Sequence, residues 1–374
     1  MFKKSINSLF FTALLATPFF SHATQYPLTV TDMAGNTVTL QQEPKHLVLQ
    51  DGRDIMALAL LDRDDPFQRL VAWNNLPKKQ DTATWNLLKG KWPDAENILD
   101  IGFGDKGDIE LESVLVKKPD LMVAQLRAKT SLGGNGVVNK LNELHIPLLF
   151  VDYEIDPAKN TADSIDLLGK VLNREENAKA YTDFYRQHAA DIQQKTAAIT
   201  PKPRVFIEPI AGNSDACCFS HKDNGWGGLL RAVVVTNIAA DLLPGATGFI
   251  SLEKVIAEKP DAYIMTGSKR GNSANKILSF GYNATAEDIQ TKADVLLSRP
   301  GIDQVPAIKA GQVYGVYHHF YNHPYNIVGM EYLAKIAYPQ ALVTLNPDQT
   351  YHDIVRRFTT LPDTPFILSQ KLAK

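Results

Sequence analysis

Leu111-Glu-Ser-Val-Leu-Val-Lys-Lys-Pro-Asp-Leu-Met-Val123 and Leu252-Glu-Lys-Val-Ile-Ala-Glu-Lys-Pro-Asp-Ala-Tyr-Ile264 align without a gap and are identical at six of 13 positions. Each copy reads as a short helix with an acidic first turn, a Pro-Asp turn that stops it, and an apolar strand. The copies lie 141 residues apart, so the chain is expected to hold two lobes of one design. What lies between them sets how they are joined. From Asn173 to Ile199 there is no Gly or Pro, and Asn173 with Glu176 forms a capping pair. Ala178, Tyr181, Tyr185, Ala189 and Ile192 recur at helical steps. One helix over 174–199 is predicted, about 25 residues or roughly 37 Å long, ended by Pro201 and Pro203.

Outward from this centre, short apolar runs alternate with helical stretches. In the first half, strands are expected at 46–49, 70–73, 121–124 and 147–151, with helices at 54–61, 110–117 and 136–144. In the second half, strands are expected at 205–208, 262–266 and 313–316, with helices at 227–241, 252–258 and 328–338. A hairpin at 29–31 and 37–40 turns around Ala34-Gly35-Asn36. Such alternation implies an α/β fold: two Rossmann-like lobes with largely parallel central sheets, joined by one long α-helix. The expected divisions are 24–172, the helical backbone 173–200, and 201–374.

Lys3 and Lys4 precede an apolar run from Leu9 to Phe20 that ends at Ser21-His22-Ala23. A run of about 12 residues is too short to span a bilayer but fits a secretory signal peptide over 1–23. The expected product is periplasmic. Its only cysteines are Cys217 and Cys218, so no lipid-bearing Cys stands at the cleavage point, and the pair forms either a local redox-sensitive turn or two buried thiols. With 39 Lys and Arg against 41 Asp and Glu, the chain lacks the cationic surplus that phosphate backbones demand; nucleic acid is not expected as a partner. No Gly-x-Ser-x-Gly, His-Glu-x-x-His or Cys-x-x-Cys occurs, which argues against an enzyme. Gly102-Phe-Gly-Asp-Lys-Gly107 fits a dinucleotide pattern, but Gln125 stands where an acidic ribose ligand belongs, and no cofactor is expected.

The ordered set of motifs resembles the periplasmic solute-binding proteins of iron-chelate, haem and cobalamin ABC transporters. It comprises Thr31-Asp-Met-Ala-Gly-Asn-Thr-Val38, both repeat copies, Leu167-Leu-Gly-Lys-Val-Leu-Asn-Arg-Glu-Glu176, Ala310-Gly-Gln-Val-Tyr314 and His318-His-Phe-Tyr-Asn-His-Pro-Tyr-Asn326. The last two are similar to a ferric-siderophore-binding branch. The resemblance implies a monomer with its ligand between the lobes, small opening motions about the helical hinge, and an inner-membrane permease dimer as partner. It also places the glutamates that meet permease arginines on Glu112 and Glu253, although an acidic residue in a first turn is favoured by the helix dipole alone.

In open α/β sheets ligands bind beyond the carboxyl ends of strands. The loops there carry Arg53, Trp73, Arg127, Trp226, Arg270, His318, His319 and Tyr321. Guanidinium groups hold anionic oxygens in forked geometry, which suits a ferric siderophore; haem and cobalamin are the alternatives. His318, His319 and His323 are possible direct metal ligands, although a bare metal site would show a tighter donor set.

Overall fold

The computed structural model describes residues 24–102, 109, 111–270 and 276–372. The signal peptide and residues 103–107 of the dinucleotide-like motif lie outside them. Two five-stranded sheets form the centres of the lobes. In the first the order is Leu99–Asp100, Leu70–Trp73, Leu47–Leu49, Leu121–Gln125, Leu148–Val151, all parallel. In the second it is Thr236–Asn237, Arg204–Glu208, Ala262–Gly267, Val313–Tyr317, Ser369–Lys371, parallel except for the closing strand.

The repeated segments occupy equivalent places. Each helix, Leu111–Leu115 and Leu252–Ala257, leads into the strand that pairs with the first strand of its lobe. Lys118 and Lys259 sit at φ 51° and 49°, a left-handed turn that reverses the chain before the proline. The following aspartates then cap the neighbouring strand: Asp120 accepts from the Lys45 and His46 amides at 2.7 and 2.9 Å, and Asp261 from the Arg204 amide at 2.8 Å. Repetition of Lys-Pro-Asp thus has a structural cause, a turn whose carboxylate satisfies amides at the start of the adjacent strand.

The lobes are joined by a pair of helices. Pro157–Val171 is followed by a tight turn and then Glu175–Thr196, 22 residues or about 33 Å. The long helix is shorter than 174–199, and Asn173 does not cap it. Asn173 takes φ 56° and its side chain accepts from the Thr24 amide at 3.0 Å, leaving Arg174 at the N-cap without a side-chain cap bond. The apolar stripe Ala178, Tyr181, Tyr185, Ala189 and Ile192 is buried. Tyr181 donates to the Pro324 carbonyl and Tyr185 to the Asn326 side chain, at 2.6 and 2.8 Å, so the helix is bonded into the second lobe.

The helix expected at 227–241 stops early, spanning Trp226–Ala232. Val234 takes φ 64°, and the Val235 amide donates back to the Leu230 carbonyl at 3.2 Å, closing the last turn. The β-branched run Val233-Val234-Val235 resists helix continuation, and the chain proceeds to the strand Thr236–Asn237. Cys217 and Cys218 are bonded to each other.

Candidate functional site

The first lobe supplies three loops to the cleft. After the strand Leu47–Leu49, Asp51 accepts from the Arg53 amide at 3.0 Å and from the Arg53 Nε at 2.8 Å. Gly52 makes this bend possible: a Cβ there would lie 1.9 Å from the Asn74 carbonyl oxygen, an overlap that would displace the loop. After Leu121–Gln125, Arg127 pairs with the same Asp51 and stands 3.1 Å from Glu154. Glu154 itself follows the strand Leu148–Val151. Asp54 lies beneath, accepting from the Gln125 side-chain amide at 2.5 Å. Burial pushes the Asp51 carboxyl up, but Arg53 and Arg127 overcome this and hold it well below the usual carboxylate range. Asp54 goes the other way, raised well above that range by burial and by Asp51. Glu154 is raised by burial against the pull of Arg127 and Arg53.

The second lobe supplies a wall of rings. Tyr321 stands at its centre, 4.9 Å from the His318 ring, 5.5 Å from His221 and 6.3 Å from Trp226. Its hydroxyl accepts from Arg53 across the seam at 3.2 Å. His318 Nδ1 is bonded to the Thr266 hydroxyl at 2.8 Å, and His319 Nε2 lies 3.3 Å from the Gln80 carbonyl of the first lobe. The Tyr317 hydroxyl donates to Asp81 across the seam. Desolvation lowers all four histidines, His221 to about 4, His323 to about 3, and His318 and His319 well below their usual range, with Arg53 and Arg270 adding to the shift of the last two. The wall is therefore aromatic and uncharged near neutral pH.

Arg270 differs from the other arginines. It is half-buried, its Nε is buried without a hydrogen-bond partner, and among the described residues no carboxylate pairs with it. Burial depresses its guanidinium. Other buried polar atoms without a hydrogen-bond partner are His319 Nδ1, both side-chain polar atoms of Asn322, and Trp226 Nε1. Buried polar atoms of this kind are expected to find partners, and a ligand between the lobes would supply them. The cavity bounded by Arg53, Asp81, Tyr317, His319 and His323 measures only about 10 Å³, room for about one water.

Of the residues read from sequence, the structure brings Arg53, Arg127, Trp226, His318, His319 and Tyr321 together, with Arg270 close enough to act on the histidines. Trp73 is not among them. It is fully buried in the first lobe, with Phe67 and Trp85 centroids at 5.6 and 5.9 Å, because it is the last residue of its strand and its side chain falls on the core face. Among the described residues no three His, Cys, Asp or Glu side chains are placed together to hold an ion. Sequence reading missed Glu154 and His221. Glu154 follows a strand end and was reachable by the rule that found Arg127; His221, at the end of the short strand Phe219–His221, carries no such signal.

Glu112 and Glu253 are exposed on the first turns of the two equivalent helices. Among the described residues neither has an ion-pair partner. Residues 66–317 match the periplasmic binding protein family. The chain belongs to that family. Members bind solutes and are not enzymes, as the lack of catalytic motifs led us to expect. This binding protein is 22% identical over 321 residues, 84% of this chain and 86% of the relative, to the uncharacterized ABC transporter substrate-binding lipoprotein YvrC of Bacillus subtilis. Its fold matches the TroA-like periplasmic binding protein FepB of Veillonella parvula with TM-score 0.84 at 22% identity, covering 92% of this chain and all of that one. It also matches the molybdate-bound MolA of Haemophilus influenzae with TM-score 0.66 at 16% identity, covering 88% and 97%. These likenesses show the fold: two α/β lobes with parallel sheets.

Proposed function

We propose that this periplasmic binding protein captures a ferric siderophore and delivers it to an ABC importer in the inner membrane. The observation that carries the reading is Arg270, a half-buried guanidinium with no carboxylate partner among the described residues, beside a wall of aromatic and neutral imidazole rings. A partly buried cation without a carboxylate gains when an anionic oxygen meets it, and flat aromatic faces suit the rings or extended planes of a chelate. Delivery is supported by the matched pair Glu112 and Glu253, exposed at the same position of the repeated unit.

Trp226 packs at 6.3 Å from Tyr321, so ligand entry should change its fluorescence. Titration with ferric siderophores, haem, cobalamin and molybdate is expected to saturate with a ferric siderophore; saturation by haem, cobalamin or molybdate alone would overturn the reading. Arg270→Ala should weaken capture more than Arg53→Ala, because Arg53 is already committed to Asp51. Loss of a charge-assisted contact is worth about 1.5–3 kcal/mol, roughly tenfold to over a hundredfold in dissociation constant. Equal affinities for wild type and Arg270→Ala would remove Arg270 from the site.

A further inference from the structure

The cleft carries its own counter-ions. Among the described residues, three guanidinium groups, Arg53, Arg127 and Arg270, face four carboxyl groups, Asp51, Asp54, Asp81 and Glu154. Arg53 and Arg127 are bound to Asp51, and Arg127 also meets Glu154. All of these except Arg270 belong to the first lobe, so their pairing does not depend on closure and persists when the lobes part. The opposite wall brings histidines that are uncharged near neutral pH and, among the described residues, the half-buried cation Arg270.

Resting on the reading of this protein as a ferric-chelate carrier, we propose that the cleft selects chelates of low net charge, and that Arg270 on the second lobe receives the one anionic edge such a ligand presents. The first-lobe arginines then act as neutral hydrogen-bonding units with their carboxylates, not as a cationic trap. A triply charged chelate entering this space would meet guanidinium groups whose charge Asp51 and Glu154 already offset, in a medium where charges act over several ångströms with little screening. Burial raises Asp54 and Asp81, whereas Asp51 and Glu154 lie against Arg53 and Arg127 and offset them, leaving Arg270 as the excess cation among the described residues. Asp51 and Glu154 thus become residues that determine specificity by exclusion.

The test compares size-matched ferric chelates of different charge: a tris-hydroxamate of zero net charge and a tris-catecholate of net charge −3. The wild-type protein is expected to bind the neutral chelate at least about tenfold more tightly. Glu154→Gln, which keeps shape and removes a charge, should improve binding of the trianion by roughly tenfold while changing the neutral chelate little. Asp81→Asn serves as the second variant should Glu154→Gln fail to fold. Tightest wild-type binding of the trianion, or a ratio of affinities unchanged in a folded variant, would overturn charge selection and leave chelate capture standing. If neither chelate binds, the functional reading itself falls and the inference falls with it.

Discussion

A Glu112→Ala, Glu253→Ala double variant is expected to keep its ligand affinity and lose support of transport in vesicles that carry the permease. Both glutamates are exposed and lie at the same position of a unit that the chain uses once per lobe. Helix-dipole stabilisation accounts for an acidic first turn at about 0.3–1 kcal/mol; the helices here are five and six residues long, so that benefit is small. If each carboxylate instead meets a permease arginine in a partly desolvated contact, truncation leaves that arginine unpaired and costs about 2–5 kcal/mol of docking. Each single variant should then show part of the loss. The strands that follow the two helices lie in the sheet interiors, and both glutamates are exposed on the helices before them, so binding should be unaffected. Wild-type transport rates in a double variant with native circular dichroism would reduce the pair to helix-dipole partners.

The parts of the fold that were legible in the sequence are those whose causes are local. The repeat could be read because Lys-Pro-Asp sets its own turn and caps a strand beside it, and the interlobe helix because its stripe of Ala, Tyr and Ile declares one face. The site was legible only in outline. Strand-end loops were found, but the partners that decide their charge were not: Arg127 meets Asp51 from 76 residues away, a distance at which sequence gives no register. The same rule that located Arg53 misplaced Trp73, since one residue within a strand separates the core face from the cleft. The β-branched Val233-Val234-Val235 run is a helix stop, yet Leu229, Leu230, Val233 and Val234 stand at helical spacing and mask it. Strand Ser369–Lys371, the only antiparallel member of its sheet, returns from the far end of the chain and leaves no local pattern.

The hinge depends on one buried carboxylate. Asp62 accepts from Arg69 Nε through Oδ2 and faces Arg174 Nε through Oδ1, both at 2.8 Å. Arg69 reaches on to Glu43 at 2.7 Å and to the Pro44 and Leu172 carbonyls, while Arg174 is the N-cap of the long helix. The turn between the two interlobe helices is in this way clamped to the first lobe, and Tyr181 and Tyr185 clamp the same helix to the second. Asp62→Ala should cost about 3–5 kcal/mol of stability, because removing one partner of a buried pair strands the other charge. Glu43, which stays with Arg69, places the expected loss toward the lower end. Asp62→Asn preserves the shape and an acceptor for one guanidinium, so it should cost less; equal losses in the two variants would assign the effect to charge alone. With one end of the helix released, small-angle scattering should also show a larger change on ligand binding in Asp62→Ala than in the wild type, where a helix bonded to both lobes is expected to restrict closure to a small motion. Denaturant unfolding with an unchanged midpoint and slope would show that the clamp bears no load, and the restriction on lobe motion would then have to reside in the buried tyrosines.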